Sequence, residues 1–284
     1  MNEVATAAQA LAQAQALGLA RIDAQMLLLH ALGRATGDRA WLLAHDGDAL
    51  DAGALARFNA LAARRAAGEP VAYLTGTKEF YGLALQVDAR VLDPRPDTET
   101  LVDWALELLR GQPAPRIADL GTGSGAIALA LQSQLPTAQV LAVDASEDAL
   151  TVARANARRL GLPVRFAAGN WLADVPGPFD AIVSNPPYIA AHDPHLQALA
   201  HEPLSALASG ADGLDDIRAI VAQAPTRLAS GGWLLLEHGH DQADVVQALL
   251  RAAGFAQVAS RCDLAGIARC SGGSMPHPGG GKVK

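Results

Sequence analysis

Cysteine is scarce in this 284-residue chain: Cys262 and Cys270 are its only two, too few for a disulfide framework and suited to a reducing cytoplasm. Long apolar runs are missing as well. Half of the residues are hydrophobic, yet charges or histidines break every stretch short of the roughly 18 residues that a membrane span needs. No membrane partner is expected. The start, Met1-Asn2-Glu3, lacks the cationic stretch and apolar core of a secretion signal, so the chain does not read as exported. Metal-ligand spacing is absent too. The eight histidines are scattered, and His238-Gly239-His240, with no cysteine or carboxylate pattern beside it, reads as loop beyond a strand. An excess of positive charge is also lacking. The net charge is −7, whereas a protein that grips duplex nucleic acid usually carries a basic patch for the phosphates. The arginines that do gather, Arg57, Arg64 and Arg65, then Arg154, Arg158 and Arg159, fall at helical spacing and read as solvated helix faces. No internal repeat is visible.

What is present divides into three regions. Residues 1–70 are rich in Ala and Leu, with Gly18, Gly33, Gly37 and Gly68 at expected helix ends. Apolar stripes at Leu27, Leu28, Leu29 and Leu32, at Trp41, Leu42 and Leu43, and at Leu55, Phe58 and Leu61 predict a small helical bundle, its last helix capped by Asp51. Residues 71–94 switch to hairpin patterning, with strands expected at Val71-Ala72-Tyr73-Leu74 and at Leu83-Ala84-Leu85-Gln86-Val87 and with Gly76 and Gly82 between them. From 95 to 284 strands and helices alternate, which predicts an α/β domain with a parallel sheet covered on both faces. Residues 257–260 and 267–269 are expected to close it as an antiparallel edge pair. Pro276, Pro278, Gly279 to Gly281, Lys282 and Lys284 mark a frayed tail.

The first chemical signal is Asp119-Leu120-Gly121-Thr122-Gly123-Ser124-Gly125. It follows the strand candidate Arg116-Ile117-Ala118 and precedes a helical pattern from Ala126 to about Gln134. Glycines here permit a tight strand-to-helix turn and a close approach of ligand to backbone. Gly121, Gly123 and Ala126 also satisfy the dinucleotide pattern G-x-G-x-x-G/A, so the loop alone is ambiguous. Asp119 at the strand end resembles the acid-then-glycine loop of S-adenosylmethionine-dependent methyltransferases, whose cofactor offers an amino-acid end, a ribose and an adenine. The next strand candidate, 139–143, is closed by Asp144, whose carboxylate can accept both ribose hydroxyls. Asp144 could instead cap the helix at 146–160, a task open to Ser146 as well. A third strand, 164–168, leads into Gly169-Asn170-Trp171. There Asn170 can bond an adenine edge, and Trp171 can pack on its face or simply belong to the core.

The second signal is Asn185-Pro186-Pro187-Tyr188, directly after the strand candidate 179–184. Such a turn can present a planar –NH2 group to an electrophile. The nitrogen of an amide, like the exocyclic amine of adenine, is a poor nucleophile because its lone pair is delocalised. Its two N–H groups can be held by the Asn185 side-chain oxygen and a backbone carbonyl such as that of Pro186, with Tyr188 against its flat face. Two prolines stiffen the turn and keep the acceptors aimed. The same tetrapeptide can also be no more than a strand-ending turn.

Together these pieces resemble one family over nearly the whole chain: the protein-(glutamine-N5) methyltransferases that modify peptide chain release factors. The likeness includes Arg64-Arg65, Gly68-Glu69-Pro70, Leu74-Thr75-Gly76, Glu79-Phe80-Tyr81-Gly82 and Pro94-Arg95-Pro96-Asp97-Thr98-Glu99. It continues through the glycine-rich loop and the Asn-Pro-Pro-Tyr turn to Glu202-Pro203-Leu204, Ala206-Leu207 and Leu235-Leu236-Glu237-His238-Gly239. The turn by itself is shared with adenine-N6 DNA and RNA methyltransferases; the Phe-Tyr-Gly and Pro-Arg-Pro-Asp-Thr-Glu segments are more specific. The resemblance implies a Rossmann-like class I sheet, a helical substrate-recognition domain at 1–70, a hairpin linker at 71–94 and a methyltransferase domain at 95–284. It implies S-adenosylmethionine as cofactor, held by Gly121, Thr122, Gly123, Ser124, Gly125, Asp144, Trp171 and Asn185. Asn185 and Pro186 would be catalytic, and Asn185, Pro186, Pro187 and Tyr188 would hold a glutamine of a release factor. Two departures stand out: Asn170 replaces an aspartate common in the family, and the approach Gln197-Ala198-Leu199-Ala200-His201 to Glu202 is short. The alternatives are an adenine-N6 methyltransferase acting on DNA or RNA, which the acidic balance disfavours, and a nucleotide-binding scaffold without activity.

Overall fold

Thr6 starts the first helix by a reciprocal cap. Its Oγ1 accepts from Gln9 N at 3.3 Å, while Gln9 Oε1 accepts from Thr6 N at 2.8 Å, so two N–H groups left over at a helix start are satisfied. Four helices follow one another in the computed structural model, which describes residues 5–277: α1 (Ala7–Ala16), α2 (Arg21–Ala31), α3 (Arg39–Ala44) and α4 (Ala52–Ala66). The expected tail from Pro278 onward lies outside the described residues. Asp51 caps α4, accepting from Ala54 N at 2.8 Å. Leu27, Leu28, Leu29 and Phe58 are buried against Ala10, Ala14 and Ala24, small side chains that let the helices approach closely. Leu43 departs from the expected stripe at 62% exposed, and Leu42 turns inward in its place.

The segment Val71-Ala72-Tyr73-Leu74, expected as strand, is helical instead: α5 (Val71–Thr75). The Pro70 carbonyl accepts from Tyr73 N at 3.0 Å and Leu74 N at 3.2 Å, and Gly76 ends the turn at φ 71°. An apolar run this short does not distinguish helix from strand by periodicity. Two compact units result: Met1–Thr77 with Ala198–His201, and Lys78–Gln197 with Glu202–Lys284. In the first, His201 Nε2 donates to the Ala67 carbonyl at 3.1 Å, so residues 198–201 belong with the helices although the sequence pattern places them in the third region.

A hairpin opens the other unit: β1 (Thr77–Phe80) pairs with β2 (Leu83–Gln86). Tyr81 and Gly82 join them at φ 50° and 75°, the left-handed pair that a two-residue hairpin turn demands. Tyr81 N donates to Glu99 Oε1 at 3.0 Å and its hydroxyl to Asp103 Oδ1 at 2.6 Å, and burial with these carboxylates raises the phenol pKa to about 12. The Phe-Tyr-Gly and Pro-Arg-Pro-Asp-Thr-Glu segments are thereby tied together.

After α6 (Glu99–Leu109) come β3 (Arg116–Leu120), α7 (Ala126–Gln134), β4 (Gln139–Asp144), α8 (Glu147–Leu160), β5 (Arg165–Ala168), β6 (Phe179–Ser184), α9 (Asp215–Gln223), β7 (Leu228–Glu237), α10 (Ala243–Ala252), β8 (Ala256–Cys262) and β9 (Ala268–Ser274). The sheet order is β5-β4-β3-β6-β7-β9-β8. The strands from β5 to β7 run parallel, and β9 and β8 close the edge antiparallel. This is the Rossmann-like methyltransferase arrangement. The chain winds outward from β3 to β5 and then returns to place β6 on the other side of β3. Open α/β sheets bind ligands at such a reversal, beyond the carboxyl ends of the strands. Register brings the functional segments to that edge: Leu120 lies opposite both Val143 and Ser184, and Ser184 opposite Leu236. Gly121, Asp144, Asn185 and Glu237 therefore leave the sheet side by side. Among the described residues no helix is long and apolar enough to cross a membrane.

Candidate active site

A cavity of about 500 Å³ opens at this edge, within the range of small-molecule sites. Gly121, Gly123, Asp144, Asn170, Trp171, Asn185 and Pro187 contribute to its wall, with Leu92, Pro203, Ser205, Ala206 and Asp216. The glycine-rich turn presents alternate residues to it. Gly123 sits at φ 56° with no atom within 4 Å of where a Cβ would stand, so its backbone borders open space. A Cβ at Gly121 would lie 3.2 Å from the Trp171 ring, so that glycine permits close packing of the indole. Thr122, Ser124 and Gly125 are buried and lie outside the cavity wall. They shape the turn instead. Thr122 Oγ1 donates to Asp119 Oδ2 at 2.6 Å, Ser124 O accepts from Asn156 Nδ2 at 3.0 Å, and Gly125 packs on Leu129 and Ala153.

Asp119 is fully buried and also accepts from Ala128 N at 3.1 Å, which joins β3 to the start of α7. Burial raises its carboxyl to about pKa 7, against the lowering pull of these two hydrogen bonds. Asp144 ends β4 in the cavity wall. Its Oδ2 accepts from Gly123 N at 2.8 Å and its Oδ1 from Ser146 N at 2.9 Å. Each oxygen keeps a further lone pair for a hydroxyl. Ser146 caps α8, accepting from Ala149 N at 3.2 Å, so Asp144 is spared that task. Trp171, at φ 54°, donates from Nε1 to Asp216 Oδ1 at 3.2 Å and packs partly on the core.

The Asn-Pro-Pro-Tyr turn divides its residues. Asn185 and Pro187 reach the cavity wall; Pro186 and Tyr188 do not line it. Asn185 Nδ2 donates to Thr98 Oγ1 at 3.2 Å, which leaves Oδ1 as the free polar atom of that side chain. The Tyr188 hydroxyl donates to Glu237 Oε1 at 3.3 Å, its carbonyl accepts from Gln242 Nε2 at 3.0 Å, and burial pushes the phenol pKa up. His238, next to Glu237, is buried and satisfied: Nε2 bonds Ser271 Oγ and Nδ1 the Gly239 carbonyl, both at 2.8 Å. Sequence reasoning gave no role to Thr98, Glu237, Asp216 or Gln242. The first two stand inside quoted motifs. Asp216 and Gln242 carried no signal, since their partners are remote in sequence.

Two family models match the chain: the PrmC N-terminal domain over residues 4–76 and the methyltransferase small domain over 101–212. A release factor glutamine methyltransferase from Burkholderia pseudomallei is 52% identical over 282 residues, covering 96% of this chain and 97% of the relative. The chain belongs to the release factor glutamine methyltransferase family. Another release factor glutamine methyltransferase, from Bordetella pertussis, is 52% identical over 91% of this chain and 96% of its own. Among solved structures, a methyltransferase from Pyrococcus furiosus shares the fold, with a TM-score of 0.53 at 18% identity over 75% of this chain and 97% of its own. Where an aspartate was expected, this release factor glutamine methyltransferase carries Asn170. The residue is exposed in the cavity wall, and its side-chain carbonyl can accept a bond from an amine.

Proposed function

We infer that this chain transfers the methyl group of S-adenosylmethionine to the side-chain amide nitrogen (N5) of a glutamine in a peptide chain release factor. The cavity fits that cofactor. Open space over Gly123 admits a ligand against backbone, the Asp144 carboxylate has capacity for two ribose hydroxyls, and the Trp171 indole offers a face to an aromatic base. The cofactor supplies an electrophilic methyl carbon, so the protein contributes mainly proximity and orientation. Carried over from the family, Gly121 to Gly125, Asp144, Trp171 and Asn185 are assigned to cofactor binding, and Asn185 to Tyr188 to the substrate amide.

The observation that carries the reading is the Asn185 side chain in the cavity wall with its nitrogen bonded to Thr98 and its oxygen free. That oxygen can accept one N–H of the target amide; the Pro186 carbonyl is carried over from the family as acceptor of the other, although Pro186 does not line the cavity. Positive charge grows on the target nitrogen as its bond to methyl forms and the bond to sulfur breaks. Aimed carbonyl dipoles stabilise that charge more than they stabilise the neutral amide, which is the differential binding that accelerates a reaction. The proton leaves after transfer, because a methylated amide nitrogen is strongly acidic, and no base is needed beforehand.

The helical region 1–70 is assigned to recognition of the protein substrate, the region 71–94 to a linker and the region 95–284 to catalysis. The enzyme is placed in the cytoplasm, with release factors and not nucleic acid as partners. Incubating the protein with labelled S-adenosylmethionine and either a release factor or DNA tests the reading. Label on a glutamine of the release factor is expected. Label in DNA would turn the assignment to adenine-N6 methylation, and label in neither would remove the activity.

A further inference from the structure

Trp171 is the one aromatic side chain in the cavity wall among the described residues, and it stands in a turn between β5 and β6, on neither strand nor helix. Its backbone is left-handed at φ 54°, a conformation that a bulky residue keeps only where its surroundings hold it. The hold comes from α9. Asp216, in the first turn of that helix, accepts from the indole Nε1 with its Oδ1 at 3.2 Å. Gln223, at the helix end, accepts from Leu172 N with its Oε1 at 2.8 Å. Residues seven apart share one helix face, so a single side of α9 grips the turn at two points.

Asp216 is itself fixed. Its backbone N donates to Ser209 Oγ at 2.8 Å, and Ser209, 2% exposed, donates from its own N to the Ile189 carbonyl at 2.9 Å. Ile189 follows Tyr188 directly and bridges in parallel to Ala208. The carboxylate that meets the indole is therefore tied to the segment leaving the Asn-Pro-Pro-Tyr turn, and Asp216 lines the same cavity as Trp171. The second torsion of a tryptophan side chain is broad, so packing alone leaves the ring freedom to swing. An indole has a single N–H. An acceptor opposite that group selects one ring orientation out of that range.

We propose that Asp216 is a positioning residue for S-adenosylmethionine: its carboxylate oxygen fixes the Trp171 indole in one orientation in the cavity wall before the cofactor arrives. This rests on the reading of Trp171 as a cofactor-binding residue. A ring already held loses little freedom when a ligand packs on it, so the bond from Asp216 raises affinity by removing an ordering cost. The role belongs to the accepting oxygen, which an amide also carries. Asparagine at this position should therefore serve where alanine does not.

Calorimetric Kd values for S-adenosylmethionine test this on the full-length protein and on Asp216→Ala, Asp216→Asn, Trp171→Phe and the double variant Asp216→Ala/Trp171→Phe. Asp216→Ala should weaken binding about ten-fold, the scale of one hydrogen bond to a charged group, and Asp216→Asn should recover most of that loss. Trp171→Phe keeps a ring but has no N–H to give. Adding Asp216→Ala to it should cost nothing further, because the bond is already gone. The near-ultraviolet circular dichroism of Trp171, taken as wild type minus Trp171→Phe, reports how firmly the ring is held. It should shrink in Asp216→Ala and return in Asp216→Asn, which a role in overall stability alone would not produce. A Kd for Asp216→Ala within about two-fold of wild type, losses that multiply in the double variant, or an asparagine variant no better than alanine would each overturn the proposal. If Asp216→Ala fails to fold, Trp171→Phe decides by its Kd: at least about ten-fold weaker binding is expected, and a value near wild type overturns the proposal. A wild-type protein that binds no S-adenosylmethionine would instead overturn the functional reading, and the proposal with it.

Discussion

Among the described residues, the helical unit buries a single polar side chain, Gln25, within a core of Ala, Leu and Phe58, whereas the methyltransferase unit buries Asp93, Asp119, Glu202, Glu237 and His238. The first is a packing solution, with its ion pairs at the surface: Arg64 holds Glu69, and Arg65 holds Asp23 at 2.8 Å. The second takes carboxylates out of water at the ends of strands, where Asp119 shapes the glycine-rich turn and Glu237 faces the Asn-Pro-Pro-Tyr turn. Glu202 likewise accepts from Asp93 N at 3.2 Å and from Arg95, which anchors the start of the segment that brings Pro203, Ser205 and Ala206 to the cavity. Buried charge marks the end of the molecule where geometry must be kept. Buried hydrocarbon marks where only shape is needed.

If that contrast is right, Leu28→Ala in the helical core should cost about 2–5 kcal/mol of stability by denaturant unfolding and leave S-adenosylmethionine affinity unchanged below the transition. A parallel fall in affinity would break the contrast. Glu237→Gln should do the reverse and raise stability. Burial raises the folded carboxyl from 4.5 to about 7, so between those values the folded state keeps a proton that the unfolded chain has lost. Wild-type stability therefore carries a term that falls as pH rises through that window and is fully lost above it. The amide has no such term. Relative to wild type, Glu237→Gln should gain on the order of a few kcal/mol between pH 5 and 8, and a pH-independent difference would mean that Glu237 titrates normally. Asp144→Ala should weaken cofactor binding by about 1–3 kcal/mol, read by calorimetry. An unaltered Kd would reduce Asp144 to a brace between Gly123 and Ser146.

Much of this was legible in the sequence wherever local chemistry decides. The glycine-rich turn, α7 after it, the strand before Asn185, the Asp51 cap and the antiparallel closing pair all follow from signals within a few residues. The segment at 71–75 did not, because an apolar run of four residues fits helix and strand alike and Pro70 tipped it. Nor did the split within the glycine-rich loop, where burial of Thr122 and Ser124 depends on α7 and α8 packing behind them. The partners of Trp171 and Tyr188 were out of reach for the same reason. Asp216 and Gln242 arrive from far along the chain, and nothing near Trp171 or Tyr188 announces them. Thr98 and Glu237 were visible as letters in motifs, but their partners Asn185 and Tyr188 come beside them only once the chain is folded.

The most direct measurement is single-turnover methylation of a release factor by Asn185→Ala at saturating S-adenosylmethionine, with cofactor Kd determined on the same protein. Loss of one preorganised electrostatic contact predicts a rate lower by roughly 10²–10³, with binding of the cofactor largely kept. A loss confined to cofactor binding, with the single-turnover rate intact, would make Asn185 a cofactor ligand only. An undiminished rate with unchanged binding would contradict the account at its centre.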